Sequence, residues 1–365
     1  MISPLIGTNP LSLQIPLPLG ISFITFTMIA YVVDAFKGKF PVQRNPKALM
    51  GYVTFFPHLI AGPILRPNEL MPQFDKLRKP MDAPFILGAA IFTVGLVRKL
   101  VFADQLAPYV NKVYDAPHNL FLEDYWMAFY GFSIQIYSDF SGYTSMAIGA
   151  AIILNINLPD NFMRPYGASS LVEFWARWHI TLSHWLRDYL YFPLGGSRAS
   201  WGRHMGNLMA TMILGGLWHG AGWTFIIWGG LHGAGIVICH IIRDMKWKRF
   251  LKIIPTWAWV IITFHFVSFA WVFFRAPDMD TAYIILNGLA YAPLGNLPKF
   301  LDNMAFPLFL FAVFLIWHRW DDHRYIRHFV RQSPKALVVT LSLAAVFLSF
   351  ILSEGSSKDF IYFDF

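Results

Sequence analysis

Cysteine is almost absent from this sequence: among 365 residues only Cys239 occurs. An intramolecular disulfide and a cysteine-based metal cluster are thereby excluded. Cys239 lies in the apolar run GIVICHII, where a packing thiol is the ordinary role. Charge is scarce too. Asp, Glu, Lys and Arg make up 14% of residues, where soluble chains carry about 25%. Hydrophobic residues reach 56%, aromatics 18% and mean hydropathy is +0.47. A water-facing exterior cannot cover that much apolar surface. A soluble enzyme, a disordered chain and a fibrous repeat are excluded, leaving a multi-pass membrane protein. The first twenty residues lack a basic start and are broken by four prolines, so they do not read as a secretion signal. Neither a Ser/Gly-rich linker nor an internal repeat divides the chain, and residues 1–365 read as a single membrane domain.

Apolar segments are expected at about 19–36, 84–104, 125–157 (as two elements), 205–219, 221–242, 254–275, 304–318 and 336–353. Two more, 52–67 and 173–196, are apolar but interrupted by Pro, Gly or charge, and read as re-entrant or interfacial pieces lining a cavity. Net charge is +8, yet no Lys/Arg-rich stripe with interleaved aromatics suggests nucleic acid. The cations instead cluster in loops. Arg243, Lys246, Lys248, Arg249 and Lys252 fill 243–252, and Arg319, Arg324, Arg327, Arg331 and Lys335 fill 319–335. Between them, 276–303 has Lys299 alone beside Asp278, Asp280 and Asp302. The excess of cations places 243–252 and 319–335 in the cytoplasm, with 276–303 and the C-terminus outside. The 243–252 cations are expected to orient the protein rather than take part in chemistry.

Soluble-enzyme signatures are missing: no nucleophile elbow, phosphate-binding loop or H-E-x-x-H helix occurs. The histidine pairs 179/184, 318/323 and 323/328 are five residues apart, about 140° around a helix, which disfavours shared metal or haem ligation. No resident metal or cofactor is expected. Two segments carry the remaining polar chemistry. In Trp178-His179-Ile180-Thr181-Leu182-Ser183, continued by Trp185, Arg187, Asp188 and Tyr189, a helix would align His179, Ser183 and Arg187 on one face. The competing reading is an interfacial helix with a Trp belt and a snorkelling arginine. In GGLWHGAGWTFIIWGGLHGAG, residues 215–235, His219 and His232 sit in apolar, glycine-rich surroundings, and an ionisable residue there needs a role or a packing partner. One face of an unbroken helix cannot present both, because their thirteen-residue spacing is about 220°. The apolar span 205–219, about 22 Å long, is too short for a ~30 Å hydrocarbon core and would leave His219 at a helix tip inside the bilayer.

FWARWHITLSHWLRDYLYFPLGGSR and GGLWHGAGWTFIIWGGLHG resemble the two signature segments of the membrane-bound O-acyltransferase family. Within it they resemble the branch of bacterial alginate and peptidoglycan O-acetyltransferase membrane subunits. LPLGISFITFTMIAYVVDAFKG, FFPHLIAGPILRP, YSDFSGYTSMAIGAAIILNINLPDNFMRPY and FIYFDF fit the same branch, whose members carry further membrane helices before the first of these blocks. Thr27 stands where the family often has Gln, and Ser145 where it often has a second Asp.

The resemblance implies an all-α ring of transmembrane helices with re-entrant elements around a central tunnel, in the bacterial inner membrane. It implies transfer of an acyl group, acetyl above all, from a cytoplasmic thioester (acetyl-CoA or an acyl carrier protein) towards an extracytoplasmic polysaccharide. A periplasmic acetyltransferase partner would complete delivery, and membrane lipid surrounds the chain. His219 maps to the family's catalytic histidine and His179 to its second characteristic one, expected to line the donor passage. Trp178, Ser183, Arg187, Asp188, Trp218, Trp223, His232 and Asp139 complete the expected substrate-contacting set, with Arg198 as a further candidate donor anchor. D-alanyl transfer to teichoic acid is the alternative within the family. A transporter or flippase without covalent chemistry is the alternative outside it, although neither inverted repeats nor cross-paired charges favour one.

Overall fold

The computed structural model describes residues 20–60, 62–74, 84–244, 253–353 and 360. These form helices and their connections, with no strand among the described residues. Four helices open the fold: α1 (Ile21–Phe36), α2 (Pro46–Val53), α3 (Phe56–Leu59) and α4 (Pro67–Phe74). Helix α5 (Phe85–Val97) runs through a π-turn at Arg98–Ala103 into α6 (Asp104–Asp115), and α7 (Leu122–Ile153) follows. Two short helices, α8 (Leu171–Trp175) and α9 (Ile180–Leu186), precede the hairpin of α10 (Trp201–His219) and α11 (Trp223–Asp244). The chain ends with α12 (Thr256–Arg275), α13 (Met279–Tyr291), α14 (Leu297–Trp317), α15 (His323–Gln332) and α16 (Lys335–Leu352).

Among the described residues, five stretches are long and apolar enough to cross a bilayer: Phe85–Asp115, Trp223–Arg243, Thr256–Arg275, Phe300–Trp317 and Lys335–Leu352. The protein is therefore a polytopic, all-α membrane protein. Helix α7 differs from the expectation of two elements in 125–157. It is one 32-residue helix, with no proline to break it, and it forms the axis of the fold, touching α3, α5, α6, α12, α13 and α14. It carries Asp124, Gln135 and Asp139, and most of its residues are shielded by protein rather than lipid. Its glycines are where α5 comes closest. A Cβ on Gly142 would lie 2.8 Å from the Gly95 carbonyl oxygen, and one on Gly149 would lie 2.6 Å from that of Gly88. Small residues facing each other let membrane helices pack backbone to backbone.

The interrupted segments fold as short helices. Residues 52–67 hold the end of α2, then α3 and a coil; residues 173–196 hold α8, α9 and a π-turn at Arg187–Tyr191. Two loops contain helices that hydropathy does not reveal. Asp278 caps α13 by accepting from the Thr281 amide, and Asp322 caps α15 by accepting from the Arg324 amide. Lys246, Lys248, Arg249 and Lys252, the tail beyond Ser353 apart from Phe360, and residues 1–19 lie outside the described residues. Phe360 is buried, with its ring 4.4 Å from Tyr143 and 5.8 Å from Phe140.

Candidate active site

The α10–α11 hairpin positions the first histidine. A Cβ on Gly216 would lie 2.3 Å from the Phe225 carbonyl oxygen, and one on Gly229 would lie 2.4 Å from that of Met212, so only glycines allow this approach. Helix α10 ends at His219, and Gly220 and Gly222 fall in the three-residue turn before α11. It begins at Trp201 rather than near residue 205, so its 19 residues span about 28 Å at 1.5 Å each. The short-helix argument for a mid-bilayer His219 is corrected accordingly; its place at the helix tip stands. The half-buried imidazole lies 4.5 Å from the Trp218 ring, 5.3 Å from Trp228 and 4.9 Å from Phe274.

His179 is not part of a continuous helical face with Ser183 and Arg187. It caps the start of α9 with φ 41°, a left-handed conformation that is uncommon for a residue with a Cβ. A neighbouring loop imposes the break. The Ile180 amide donates to the Asn161 carbonyl at 3.0 Å, and the Met163 amide donates to the Arg177 carbonyl at 2.9 Å. Backbone groups otherwise available to a helix are committed to this loop.

The same loop orients the imidazole. The Ile64 amide donates to Thr181 Oγ1 at 2.9 Å, leaving the Thr181 hydroxyl proton for Asn161 Oδ1 at 2.9 Å. The Thr181 amide also donates to Oδ1, at 3.1 Å. That fixed N–H identifies Oδ1 as an acceptor, so His179 Nδ1, 3.2 Å away, is the protonated nitrogen. Nε2 therefore holds the free lone pair, buried and without a hydrogen-bond partner among the described residues. His179 and His219 are close enough to interact electrostatically.

His232 completes a buried aromatic chamber. Its Nδ1 accepts from Trp175 Nε1 at 3.2 Å, which puts the proton of a neutral ring on Nε2. Its ring lies 5.0 Å from Trp228 and 6.3 Å from Trp271. Trp178, beside His179, lies 5.1 Å from Trp271, and Phe274 lies 5.1 Å from both Trp228 and Trp271. His219, the Trp178–His179 break and His232 thus surround one aromatic cluster from three segments distant in sequence.

A cavity of about 550 Å³ borders this chamber. Its wall includes Trp175, Ser183, Leu186, Arg187, Tyr191, His204, Met212, His240 and Arg243. The end of α11 places Arg243 at the hairpin end opposite His219, and Arg187 joins the wall from the π-turn after α9. Arg243, expected only to orient the chain, lines this cavity and donates to His240 Nδ1 at 2.8 Å. His179, expected to line the donor passage, is not in this wall; Ser183 and Arg187 of its segment are.

Other expected contacts have other partners. Trp223 is 72% exposed at the hairpin turn, its indole turned away from the chamber. Asp139 is buried against Lys99 Nζ at 2.8 Å, and Asp104 holds the same ammonium at 2.9 Å, making an ion triad between helices. Trp218 stacks on Phe26 at 4.8 Å. Asp188 pairs with Arg66 and, at 2.7 Å, with Arg187. Burial alone would raise the Asp188 carboxyl, but the Arg187 hydrogen bond and the two guanidinium charges hold it below the ordinary carboxylate range. Ser145 takes a hydrogen bond from Arg98 at 2.7 Å and contacts His323 Nε2 at 3.0 Å. No group of three or more metal-ligating side chains comes together among the described residues.

Sequence reasoning missed Asn161, Trp175, Trp228 and Trp271. Trp228 lies four residues before His232 on one helix face and was open to the spacing argument. Asn161 and Trp271 reach the site only through tertiary contacts and leave no local signal.

Comparison with known proteins shows the family. The model of the membrane-bound O-acyltransferase family matches residues 40–267. A peptidoglycan O-acetyltransferase of Helicobacter pylori is 36% identical over 97% of this chain and 76% of its own length. A probable alginate O-acetylase of Azotobacter vinelandii is 43% identical over 74% of this chain, which spans about half of that relative, 53%. A teichoic acid D-alanyltransferase of Bacillus subtilis is 29% identical over 70% of this chain and 68% of its own length. The matched region contains both the His179 and the His219 segments, and the chain belongs to the membrane-bound O-acyltransferase family.

Proposed function

We propose that this chain transfers an acyl group, acetyl in the first instance, from a thioester to a hydroxyl on the way to an extracytoplasmic polysaccharide. The observation that carries the reading is that His219 and the Trp178–His179 break border one buried aromatic cluster, beside a cavity whose wall includes Arg187 and Arg243. A neutral imidazole is the side chain suited to accept a hydroxyl proton near pH 7. In the proposed step His219 takes that proton as the hydroxyl oxygen attacks the thioester carbonyl carbon. The tetrahedral adduct collapses, the carbon–sulfur bond breaks, and the proton passes from His219 to the leaving thiolate. Ester and free thiol result, with no net gain or loss of protons. His179 Nε2, with its lone pair, holds an arriving hydroxyl before the O–H turns to His219.

Arg187 and Arg243 suit the phosphates of acetyl-CoA or of the phosphopantetheine arm of an acyl carrier, because guanidinium forks pair with phosphate oxygens. The named activities of the Helicobacter and Azotobacter relatives support acetyl over D-alanyl as the group moved. The reading extends to the bacterial inner membrane, a C-terminus outside and a periplasmic acetyltransferase partner that passes the group to the sugar. Proteoliposomes given radiolabelled acetyl-CoA, with and without an acetylatable polysaccharide and partner, test it. Label moving to the polysaccharide or partner is expected. Transfer of D-alanine from its carrier protein and none of acetate would select the teichoic acid reading, and movement of solute without covalent transfer would select a transporter.

A further inference from the structure

Three N–H groups in the aromatic chamber have no use in the structure as it stands. The indole Nε1 atoms of Trp228 and Trp271 and His232 Nε2 are buried and lack hydrogen-bond partners among the described residues. Their side chains are almost wholly enclosed, at 2%, 1% and 0% exposure. The His232 Nδ1 bond to Trp175 leaves the proton on Nε2, so all three atoms are donors. Buried donors in native proteins are nearly always paired, and an unpaired one costs the full desolvation of its group. The three side chains share one cluster, with ring centroids 5.8 Å apart for Trp228 and Trp271 and 5.0 Å apart for Trp228 and His232, so an acceptor reaching this cluster would meet unused donors. Trp228 is also 5.3 Å from His219, so this acceptor would sit beside the base.

We infer that Trp228, Trp271 and His232 form an oxyanion-binding subsite for the carbonyl oxygen of an acyl thioester. The inference rests on the acyl-transfer reading above and names the groups that serve its charged intermediate. As the hydroxyl oxygen bonds to the carbonyl carbon, the carbonyl π pair moves onto oxygen, and the three N–H groups receive that negative charge. When the carbon–sulfur bond breaks, the pair returns to re-form the ester carbonyl and the thiolate leaves. Donors fixed in a dry site before the reaction begins stabilise such charge without reorganisation. The acceptor they fit is an oxygen with two lone pairs and no proton of its own. A carbonyl meets that description, whereas a hydroxyl would bring a fourth donor. His219 takes the proton of the attacking hydroxyl, which the bare His179 Nε2 holds on its way in.

The experiment uses the full chain in nanodiscs with an acetyl thioester donor and compares Trp228→Phe, Trp271→Phe and wild type. Each position is also filled with β-(3-benzothienyl)alanine, which keeps the indole shape and replaces N–H by sulfur. Loss of a donor that serves the transition state should lower kcat about 10²–10³-fold, with donor KM nearly unchanged. The benzothienyl variants should fall as far as the phenylalanine ones. In parallel, the infrared carbonyl stretch of a bound ketone analogue of the thioester, labelled with ¹³C, should lie lower in wild type than in either variant. Wild-type kcat in the benzothienyl variants, or a carbonyl frequency unmoved by losing either indole, would overturn the subsite. The latter result would mean that the donors hold structural water only. Wild-type protein that turns over no acyl thioester would instead overturn the acyl-transfer reading itself.

Discussion

Asn161 is the side chain whose removal should separate orientation of the site from its composition. One oxygen, Oδ1, accepts from the Thr181 amide, the Thr181 hydroxyl and His179 Nδ1, at 3.1, 2.9 and 3.2 Å. In Asn161→Ala all three donors lose their acceptor in a buried place. A buried hydrogen bond contributes about 1 kcal/mol net, and a donor left unpaired costs about 1–3 kcal/mol. The variant should therefore lose on the order of 3 kcal/mol of stability, visible as a lower melting temperature in nanodiscs. The chemical effect is separate. With Nδ1 unanchored, the preference for the Nδ1–H tautomer, worth about 1 kcal/mol or fivefold in population, disappears. The ring is also free to turn away from its anchored orientation. Together these should lower kcat for acyl transfer about 10–100-fold, with donor KM changed little. Asn161→Asp keeps an acceptor for the same three donors and should retain kcat to within about fivefold. Purified variants assayed for thioester turnover above their KM, beside thermal melts, give both numbers. Asn161→Ala that melts lower yet turns over at the wild-type rate would refute the claim that the His179 tautomer matters. Equal losses in Ala and Asp variants would refute the proposed acceptor role.

Three further outcomes follow from other parts of the structure. Arg187→Ala or Arg243→Ala should raise donor KM about tenfold while leaving kcat within about threefold, read from initial rates with an acetyl-CoA series; a fall in kcat at unchanged KM would contradict their place in the donor cavity. Gly142→Leu must push into the Gly95 carbonyl, and overpacking of this kind costs about 1–3 kcal/mol, so the melting temperature should fall; an unchanged melt would show that α5 and α7 are not in backbone contact. Burial would raise the Asp160 and Asp322 carboxyls, but His323 and Arg327 around Asp160, and Arg324 and Arg164 around Asp322, hold both below the ordinary value. Their contribution to stability is full above the ordinary carboxylate pKa of about 3.9 and is lost as pH falls through the depressed folded values. The protection factors of the α15 amides should therefore fall on acidification below about pH 4; protection unchanged to about pH 2 would contradict it.

The legible parts of this fold were those set by composition and by local punctuation. Apolar runs marked the five long helices, and glycines after His219 marked the end of α10. The continuous α7 was less legible. Its glycines suggest interruption in isolation, and only the matching glycines of α5 show that they serve close packing. Helix α13 escaped because its apolar run is only 13 residues, too short to read as a span, and α15 because its charged residues resemble loop sequence until the Asp322 cap is seen. The largest difference lies at His179. Helical spacing aligned it with Ser183 and Arg187, but the Ile180 amide donates to Asn161 and the Met163 amide to Arg177, and these bonds to a loop more than a dozen residues earlier break the helix there. Such contacts have no local periodicity. The pairing of Asp139 was hidden for a related reason: its partner Lys99 comes from a separate stretch of chain, and Asp104 joins the same ion triad.

The central claim is that His219, at the tip of α10, is the base for acyl transfer. Its most direct test is kcat for transfer from an acetyl thioester by His219→Gln in proteoliposomes, with His179→Ala beside it and folding verified by thermal melt. A general base contributes about 10²–10⁴-fold. His219→Gln should therefore lose at least a hundredfold in kcat while remaining folded, and His179→Ala should lose less. A well-folded His219→Gln protein with kcat within about tenfold of wild type would contradict the account and move the role of base to His179 or His232.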